Sequence, residues 1–506
     1  MYYVVGSGPA GISCAQALLA AGKEATILDS GVQLEPDRRA AVEALAASDP
    51  TTWTKENTAF MRAGMSSGKS GIPEKLVYGS NYTYRPVSGS TSITCEGPDT
   101  KPSYALGGLS TVWGSAVMPY RQQDIANWPI TVSDLEPGYR AVQKWMPFSA
   151  QTDDLAGLFP LYRDDLTSLP MSRQASAVLS DLTRNRTSLN AKGVHFGQSR
   201  LAVNATKCVS CGLCMYGCPR SLIYSTDQTL SAMSVKYISG VTLQSVEESG
   251  DSVTLNAINQ DGSKCQFTGE RAFLGAGLLN TTAILLRSLG LYDTPVNIVD
   301  SQYFLLPLLR FRGISGVSKE RLHTLAQLFV DILDESISPY TVHLQTYTYN
   351  DLFRDPVMAA LGPLAPMFPV ETFLGRLLLF QGYLHSDHSP SITANLSRSN
   401  TLTLTSVPNP ETKKRVNQVA QKLTKLVGQT GVMPLRPLLQ MGKPGRGFHS
   451  GGSFPMGTKT DILGRPSGLQ RVHAVDSSVL PSIPASTVTY TVMANAYRIG
   501  SLAANE

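Results

Sequence analysis

The stretch Tyr2-Tyr-Val-Val-Gly-Ser-Gly-Pro-Ala-Gly11 opens the chain, and Glu24-Ala-Thr-Ile-Leu-Asp29 follows it after a run of small residues. The pattern predicts a buried strand at Tyr2–Val5, a glycine-rich turn, a helix over 12–21 and a second strand that ends in an acid. This order of strand, G-x-G-x-x-G, helix, strand and acid is typical of dinucleotide-binding domains. These residues therefore predict a Rossmann-like nucleotide-binding domain at the start of the chain.

Each residue of this turn has a predicted task. Gly6 permits the tight turn, Gly8 lets the backbone approach a pyrophosphate, and Gly11 allows the helix to pack closely on the strand. The helix N-terminus stabilises phosphate charge. Asp29 lies 18 residues after Gly11, where an acid can accept a hydrogen bond from a ribose hydroxyl. The motif alone leaves the choice between a flavin and a nicotinamide cofactor open.

A second motif is the cysteine run Cys208-Val-Ser-Cys-Gly-Leu-Cys-Met-Tyr-Gly-Cys218, which Pro219 follows. The spacing C-x2-C-x2-C-x3-C-P is the one that holds an iron–sulfur cube in bacterial ferredoxins. A structural zinc site is the alternative, although zinc ligands usually come as two separated pairs. In two-cluster ferredoxins the fourth cysteine of such a run serves the other cluster, and this chain has no second run. The fourth ligand is therefore Cys218, or else Cys95 or Cys265.

The composition is that of a globular protein of two or three domains. The chain has 506 residues, 42% hydrophobic and 16% charged, with a formal net charge of +5. No Lys/Arg block with interleaved aromatic residues supports nucleic-acid binding. Four of the seven cysteines lie in one run, which is unlike a secreted disulfide framework. The chain enters an apolar strand at once, without room for a signal peptide, and it has no 18-residue uncharged apolar run. We therefore expect a cytoplasmic protein.

Three further segments together resemble the glucose–methanol–choline (GMC) flavoprotein oxidoreductases. The first is Ala105-Leu-Gly-Gly-Leu-Ser-Thr-Val-Trp-Gly114, which is similar to the family's Gly-rich segment along the flavin. The second, over 274–288, begins Leu-Gly-Ala-Gly and resembles a strand–turn–helix return to the nucleotide domain. The third is His449-Ser-Gly-Gly-Ser-Phe-Pro-Met-Gly457, with Val-Asp at 475–476 and a helix-like stretch over 493–499. The resemblance is nearly absent from the middle of the chain.

The resemblance implies an α/β FAD-binding, Rossmann-like domain with an inserted α+β substrate domain, which combines an antiparallel sheet with helices. Residues 1–295 would bind FAD and include the Gly-rich flavin segment 105–116 and the iron–sulfur loop 207–220. Residues 296–440 would bind the substrate, and 441–506 would return to the FAD domain with the catalytic histidine. Beyond the first turn, the residues that the resemblance assigns to FAD binding are Gly107, Gly108, Ser110, Trp113, Gly114 and Asp476.

The resemblance also assigns the catalytic base. In this family a histidine at the position of His449 faces the flavin N5 atom and removes the substrate's hydroxyl proton. Hydride leaves an alcohol carbon readily only as that proton is removed, and imidazole has a pKa near the operating pH. The family's second active-site residue, an Asn or His, is replaced here by Thr487, which can donate one hydrogen bond but cannot act as a base. His385 or His388 would supply the missing group if their segment bordered the flavin.

These expectations combine into an FAD-dependent dehydrogenase that oxidises the CH–OH group of a sugar- or alcohol-like substrate, either a small molecule or a glycan. A [4Fe–4S] cluster on Cys208, Cys211, Cys214 and Cys218 would pass electrons to an external acceptor, a carrier protein or a quinone. One alternative is a GMC-type oxidase or desaturase whose cysteine run is structural. Another is a non-catalytic electron-transfer subunit in which Thr487 marks a lost active site.

The apolar, Pro-interrupted stretch over 352–384 predicts a lid over the substrate pocket, ordinary core, or a peripheral contact with the inner face of a membrane. Pro363, Pro366 and Pro369 exclude one long helix. An exposed apolar patch with few charges is typical of a membrane or partner contact. The residues that would form it are Val357, Met358, Leu361, Leu364, Met367, Phe368 and Phe373.

Overall fold

The structure is a computed structural model and describes residues 1–64, 74–367 and 369–506. Within these ranges the strands form four sheets. The first, which we call the parallel sheet, has neighbours that all run in the same direction. Its strands, in spatial order, are Val472–Ala474, Arg271–Leu274, Tyr2–Val5, Ala25–Leu28 and Lys236–Ile238. The inner strands are apolar almost throughout, as expected where helices or loops cover both faces.

The other sheets are wholly or mostly antiparallel. The small sheet contains Val241–Ser249, Ser252–Asn259 and Lys264–Gly269. The mixed sheet has the order Ser450–Gly451, Val296–Asp300, Ser391–Leu396, Thr401–Val407 and Ser92–Glu96. The large sheet has the order Val432–Pro434, Tyr303–Arg310, Leu377–Tyr383, Val342–Tyr347, Leu328–Ile332 and Val194–Gln198, and Gln440–Met441 also pairs with Tyr303–Arg310.

Helices cover the sheets and connect their strands. The α-helices of the described ranges are Pro9–Ala20, Pro36–Ala47, Ala59–Arg62, Val132–Val142, Arg173–Arg184, Arg186–Asn190, Thr226–Ser231, Leu278–Ser288, Asp351–Leu361, Val370–Leu374, Glu411–Lys425, Val427–Thr430 and Val488–Ala503. Short 3-10 helices include Gly108–Thr111, Cys214–Tyr216, Gly362–Met367 and Ser386–His388. None of the helices in this part of the chain is both long and apolar enough to cross a bilayer.

The parallel sheet and its helices join the two ends of the chain. Strand Val472–Ala474 adds to the edge of the parallel sheet beside Arg271–Leu274, and the last helix, Val488–Ala503, packs on the first, Pro9–Ala20. The approach is close because a Cβ atom at Gly500 would lie 3.0 Å from the carbonyl oxygen of Cys14. The ranges 1–295 and 441–506 therefore meet in one body. Two strands of the first range lie elsewhere, since Val194–Gln198 joins the large sheet and Ser92–Glu96 the mixed sheet.

The large sheet has two chemically different faces. One face is apolar and packs on helices Arg173–Arg184 and Glu411–Lys425. Because neighbouring residues of a strand point to opposite sides, the alternate positions form the other face, which we call the polar face. It carries Asp331, His343, Gln345, Tyr347, Gln381 and Tyr383. All of these side chains except that of Gln381 are buried, so the polar face is covered by the rest of the protein.

The segment over 352–384 is only partly at the surface. Leu377–Tyr383 is an interior strand of the large sheet, between Tyr303–Arg310 and Val342–Tyr347, so this part of the predicted contact surface is wrong. Its alternating apolar residues fill the sheet core instead. Met367 is 85% exposed, whereas Val357 and Phe373 are half-buried. Phe368 and the side chains of Leu361 and Leu364 lie outside the described residues.

Candidate active site

A deep cleft opens at the carboxyl end of the parallel sheet, beside the first glycine turn. We call it the nucleotide cleft. Its wall combines the first turn, Asp29, residues of the Gly-rich segment, the 275–280 turn and the start of the last helix. Gly8 faces this space, because a Cβ built on it would meet nothing closer than 3.7 Å within the protein. Gly11 differs, since its Cβ would lie 1.9 Å from the Gly6 carbonyl oxygen. Gly11 therefore serves packing, whereas Gly8 leaves room for a ligand.

Asp29 is tied to both glycine segments through one serine. Its Oδ2 atom accepts hydrogen bonds from the Ser7 hydroxyl at 2.5 Å and from the Tyr237 hydroxyl at 3.0 Å. The Ser7 oxygen in turn accepts from the Gly107 N–H at 2.9 Å. Burial raises the pKa of the Asp29 carboxyl to about 6. Asp29 lines the cleft, in the place where the carboxyl group of a dinucleotide-binding site faces a ribose.

The Gly-rich segment has both cleft-facing and internal members. Gly108 lines the nucleotide cleft, and Gly107 has the left-handed conformation, φ +92°, in which glycine is unstrained. The Ser110 hydroxyl donates to the Gly107 carbonyl oxygen at 2.6 Å, and the Trp113 indole N–H donates to the Tyr224 carbonyl oxygen at 2.7 Å. Neither Ser110 nor Trp113 is among the residues that line the cleft. Both hold the segment in shape.

Asp476 lies in the wall of the same cleft. Its Oδ2 atom accepts from the Gly277 N–H at 2.9 Å and from the Thr281 hydroxyl at 2.5 Å. Its Oδ1 atom accepts from the Ser478 N–H at 3.0 Å. The carboxylate therefore fixes the 275–277 turn to the last strand of the parallel sheet.

These features fit a dinucleotide such as FAD. The first helix begins at Pro9, and its N-cap Gly8 lines the cleft, where the free N–H groups of a helix N-terminus favour a diphosphate. Gly8 presents no side chain to this space, and Asp29 supplies the acceptor for a ribose. FAD would therefore be held by Gly6, Gly8 and Asp29 at its adenosine diphosphate half. The Gly-rich segment would hold the remainder.

His449 lies at the edge of the nucleotide cleft. Its neighbours Phe448 and Ser450 both line the cleft. Phe448 has a left-handed backbone, φ +54°, which is strained for an aromatic residue and is typical of functional loops. The His449 Nδ1 atom is buried and has no partner in the described ranges. Burial, and secondly the nearby His343, lower the pKa of His449 to about 3, so its imidazole is neutral near pH 7.

Asp300 holds the loop that carries His449, and the sequence analysis did not identify it. Its carboxylate accepts from the Gly445 N–H at 2.9 Å and from the Ser450 hydroxyl at 2.6 Å, on both sides of His449. The adjacent Ser301 N–H donates to the His449 carbonyl oxygen at 2.9 Å. Burial raises the pKa of Asp300 to about 7. The available sequence signal was an acid at the end of the short, mostly apolar run Val296-Asn-Ile-Val-Asp300.

The polar face of the large sheet forms a wall beside His449. The Tyr383 ring stacks on the His449 ring with centroids 4.5 Å apart and an interplanar angle of 22°. Gln381 donates a hydrogen bond to the Tyr383 hydroxyl, and the Tyr347 hydroxyl donates to Gln345 Oε1 at 3.3 Å. A Cβ built on Gly114 would lie 3.8 Å from the Tyr347 oxygen. The wall therefore contacts both the His449 loop and the Gly-rich segment.

Thr487 is the N-cap of the last helix and is buried. Its Oγ1 atom accepts a hydrogen bond from the Met118 N–H at 3.0 Å. Its neighbours Val488 and Thr489 line the nucleotide cleft, but Thr487 is not among the lining residues. The hydroxyl proton is still available for donation, so the predicted supporting role stays a prediction.

His385 is committed to local structure. Its Nδ1 atom accepts from the Asp387 N–H at 3.1 Å, and its Nε2 atom lies 3.2 Å from the Asp124 carbonyl oxygen. The ring also stacks on Tyr340 with centroids 3.7 Å apart. Neither His385 nor His388 lines the nucleotide cleft.

The cysteine run encloses a second, apolar cavity, which we call the cysteine cavity. Its wall includes Cys208, Cys211, Cys214 and Cys218 together with His323. Cys95 and Cys265 lie on strands of the mixed and small sheets and do not line it. Gly212 and Gly217 have φ of +78° and +106° and turn the backbone around the cavity. Within the described ranges, no group of three or more Cys, His, Asp or Glu side chains is arranged to hold a metal ion.

Several contacts connect the cysteine cavity with the Gly-rich segment. Lys75 Nζ donates to the Trp113 carbonyl oxygen at 2.6 Å. The same lysine, whose pKa burial lowers to about 8, is close enough to Cys214 to interact with it electrostatically. Ala116, next to the Gly-rich glycines, shares a hydrophobic cluster with Cys208 and Cys214. His323, in the wall of the cysteine cavity, is kept neutral by burial, which lowers its pKa to about 4. No pattern in the sequence indicated that this histidine would lie beside the cysteines.

Comparison with known proteins is informative about the fold. No protein-family model matches the sequence, and no curated protein matches it. The structure is similar to the crystal structure of pyridoxine 4-oxidase from Mesorbium loti, with a TM-score of 0.61 and 14% sequence identity, over 100% of this chain and 99% of that one. This full-length likeness confirms the predicted fold class, a Rossmann-like α/β domain with an inserted α+β domain.

Proposed function

We propose that this protein is an FAD-dependent oxidoreductase that oxidises the CH–OH group of a sugar- or alcohol-like substrate. The observation that carries the proposal is the placement of His449 at the edge of a cleft whose walls fit a dinucleotide: its imidazole is neutral, and its Nδ1 atom has no hydrogen-bond partner among the described residues. The name of the structural neighbour, an oxidase of the alcohol pyridoxine, supports the same class of reaction.

Different residues of the site would have different roles in such a reaction. When bound, FAD would accept a hydride at its N5 atom. His449 would accept the hydroxyl proton at a ring nitrogen, and it is ready to do so because burial keeps its ring neutral. A base with a low pKa is sufficient here, since the hydroxyl becomes strongly acidic as the hydride leaves the adjacent carbon. Asp300 and Ser301 keep the His449 loop in place.

The polar face of the large sheet favours a polar ring or polyol as substrate. Gln345, Gln381 and the hydroxyls of Tyr347 and Tyr383 present donors and acceptors beside His449 and Gly114. These groups hydrogen-bond one another in pairs. A polar substrate can exchange hydrogen bonds with them, which a purely aliphatic alcohol cannot do.

We further propose that the cysteine cavity holds a [4Fe–4S] cluster that carries electrons to an external acceptor, a carrier protein or a quinone. Two observations support it: four thiols line one apolar cavity, and Cys208 and Cys214 pack in one hydrophobic cluster with Ala116 of the Gly-rich segment. Within the described residues the thiols are not yet arranged to hold a metal ion, so binding of the iron–sulfur cluster would have to bring them together. Burial raises the pKa of Cys214 to about 12, so without a metal its thiol is protonated. A bound metal would deprotonate it.

The second candidate function is that of an oxidase that transfers electrons to oxygen and whose cysteine run is structural. The neighbour's name favours it, because that protein is an oxidase. Protein purified without air should contain about four iron and four sulfide per chain if the cluster is present. Cys218→Ser should lose them, while Cys95→Ser, whose thiol lies outside the cavity, should not. A full native flavin complement with neither iron nor sulfide would favour the oxidase.

The alcohol-oxidising function itself is tested by an anaerobic screen of alcohols and sugars that follows bleaching of the visible flavin absorbance. The native protein should be bleached by at least one substrate. His449→Ala should keep its bound FAD, and the rate at which substrate bleaches the flavin should fall about 10²–10⁴-fold. If His449→Ala were reduced at the native rate, the assignment of the base would be wrong.

A further inference from the structure

The inference starts from an aspartate and a histidine in the interior of the large sheet. Asp331 and His343 face each other across strands Leu328–Ile332 and Val342–Tyr347. Both residues have 0% exposure, and His343 Nδ1 lies 2.8 Å from Asp331 Oδ1. Two polar groups buried so completely require a reason, because apolar residues of the same size fill a sheet interior at no desolvation cost.

The contact with Asp331 fixes the form of the histidine ring. A carboxylate oxygen accepts hydrogen bonds, so His343 Nδ1 carries the proton and Nε2 carries a lone pair. That Nε2 atom is buried and has no partner in the described part of the chain, and the same is true of Asp331 Oδ2. The pair therefore holds an oriented, unused acceptor inside the protein.

The pair is adjacent to the proposed base through one aromatic ring. His343 lies directly opposite Tyr383 on the next strand, where facing side chains are in contact range. The Tyr383 ring stacks on His449 at 4.5 Å. His343 is also close enough to His449 to add to the effect of burial in lowering the pKa of that ring. The order across the structure is Asp331, His343, Tyr383, His449.

We propose that Asp331 and His343 form a positioning pair for the active site. Asp331 fixes the ring and tautomer of His343, and His343 acts through Tyr383 to hold the ring of His449 in place. This inference rests on the proposed alcohol oxidation and goes beyond it. It also explains why a threonine, Thr487, can replace the second active-site residue at the start of the last helix: the residues that support the base lie on the large sheet.

Other charged groups surround the pair and act on it. Asp331 interacts electrostatically with Asp124, His195 and Arg200, which lie on separate elements around it. On the side of the base, His343 faces His449 and Tyr383. Arg200 is fully buried, and its Nη1 atom donates to the Phe159 carbonyl oxygen at 2.6 Å, so its positive charge is fixed in place.

The first test changes the tautomer without changing the shape. Asp331→Asn retains the size of the side chain, but its amide can donate to His343 Nδ1 and move the ring proton to Nε2. We expect the rate constant of flavin reduction at saturating substrate to fall about 10–100-fold, the usual effect of removing a group that orients a working imidazole. FAD content and the substrate dissociation constant should stay native. A native rate constant for reduction would overturn the proposal.

The matched control is His195→Gln. His195 lies opposite Asp331 on the other neighbouring strand, on the side away from His343 and Tyr383, and is half-buried. It interacts with Asp331 electrostatically but forms no link between Asp331 and His449. The rate constant for flavin reduction in His195→Gln should remain within about twofold of native, because a substitution outside the set of residues that links Asp331 to His449 has a small effect. If His195→Gln and Asp331→Asn were equally slow, the loss would reflect general damage to the sheet, and the positioning role would be wrong.

The second test does not depend on turnover. In 15N-histidine-labelled protein, the His449 signal, assigned with His449→Gln, is followed by NMR as the pH is varied. His343→Gln removes a group that lowers the pKa of His449, so the titration of His449 should move to higher pH. An unchanged titration would overturn the inference even if alcohols reduce the flavin. A shifted titration in a protein that no alcohol reduces would leave the coupling intact and reject the proposed function.

Discussion

Gly8 and Gly11 are two glycines of one motif that the structure assigns to different tasks, and a pair of alanine variants separates them. At Gly8 the backbone has φ −71°, which any residue adopts, and a Cβ would contact only Gly108 Cα at 3.7 Å and Gly107 O at 4.0 Å. At Gly11 a Cβ would lie 1.9 Å from the Gly6 carbonyl oxygen. The first substitution therefore fits the protein but enters the cleft, whereas the second does not fit the protein at all.

The magnitudes follow from these contacts. Gly8→Ala should leave the FAD-free protein as stable as native, or more stable by up to about 1 kcal/mol, because alanine restricts the unfolded chain. Overlap with a bound diphosphate costs about 1–3 kcal/mol, as in an overpacked core, which weakens FAD binding about 5- to 150-fold. Gly11→Ala should lower the free energy of unfolding of the FAD-free protein by about 1–3 kcal/mol or more.

The assay combines urea unfolding of the FAD-free proteins with fluorescence titration of FAD into each. The expected contrast is a native midpoint with weak FAD binding for Gly8→Ala, and a lowered midpoint for Gly11→Ala. Native FAD affinity in Gly8→Ala would refute the reasoning, because it would mean that no ligand approaches the backbone at this glycine. Gly8→Val, with a larger side chain, should retain no FAD after purification.

Three further predictions test other parts of the site. The pKa of Asp300 is raised from 3.8 to about 7 in the folded protein. Between these pH values the folded state binds more protons than the unfolded state, so the free energy of unfolding falls as the pH rises from about 4 to 7. Asp300→Asn should reduce this fall by up to about 4 kcal/mol in urea unfolding measured across that range. Thr487→Val should slow flavin reduction only about fivefold, since one neutral hydrogen bond is worth about 1 kcal/mol, and a loss larger than that of His449→Ala would show that Thr487 matters more than proposed. The short exposed part of the 352–384 segment should bind anionic liposomes at low salt in sedimentation, and Val357→Ser with Met367→Ser should abolish this; native protein that stays in the supernatant would exclude the membrane contact.

The sequence predicted the parts of the site that are local in the chain. The first turn places Gly6, Gly8 and Asp29 within 30 residues, so the pattern of glycines and acid was sufficient to predict the cleft. The cysteine run is local for the same reason, and its four thiols line one cavity. His449 was identified through a resemblance of the surrounding loop rather than through any property of the histidine itself.

The parts that were missed depend on pairing between distant strands. Asp331, His343 and Tyr383 come together only because their strands are neighbours in the large sheet, and strand order and register cannot be read from one sequence. A weak signal was present, because His343, Gln345 and Tyr347 are polar or amphipathic residues at alternate positions of one strand, with the apolar Val342 and Leu344 before the first two. The 352–384 segment was misjudged for a related reason: apolar residues of an interior strand and of an exposed helix look alike in composition.

The central claim, removal of hydride and proton from a CH–OH group beside His449, is tested most directly by the anaerobic reaction of the FAD-loaded protein with a substrate deuterated at the carbinol carbon. The account predicts one carbonyl product per flavin bleached and slower bleaching with the deuterated than with the undeuterated alcohol. Bleaching without a carbonyl product, or no bleaching by any alcohol or sugar in a protein that holds its full FAD, would contradict it.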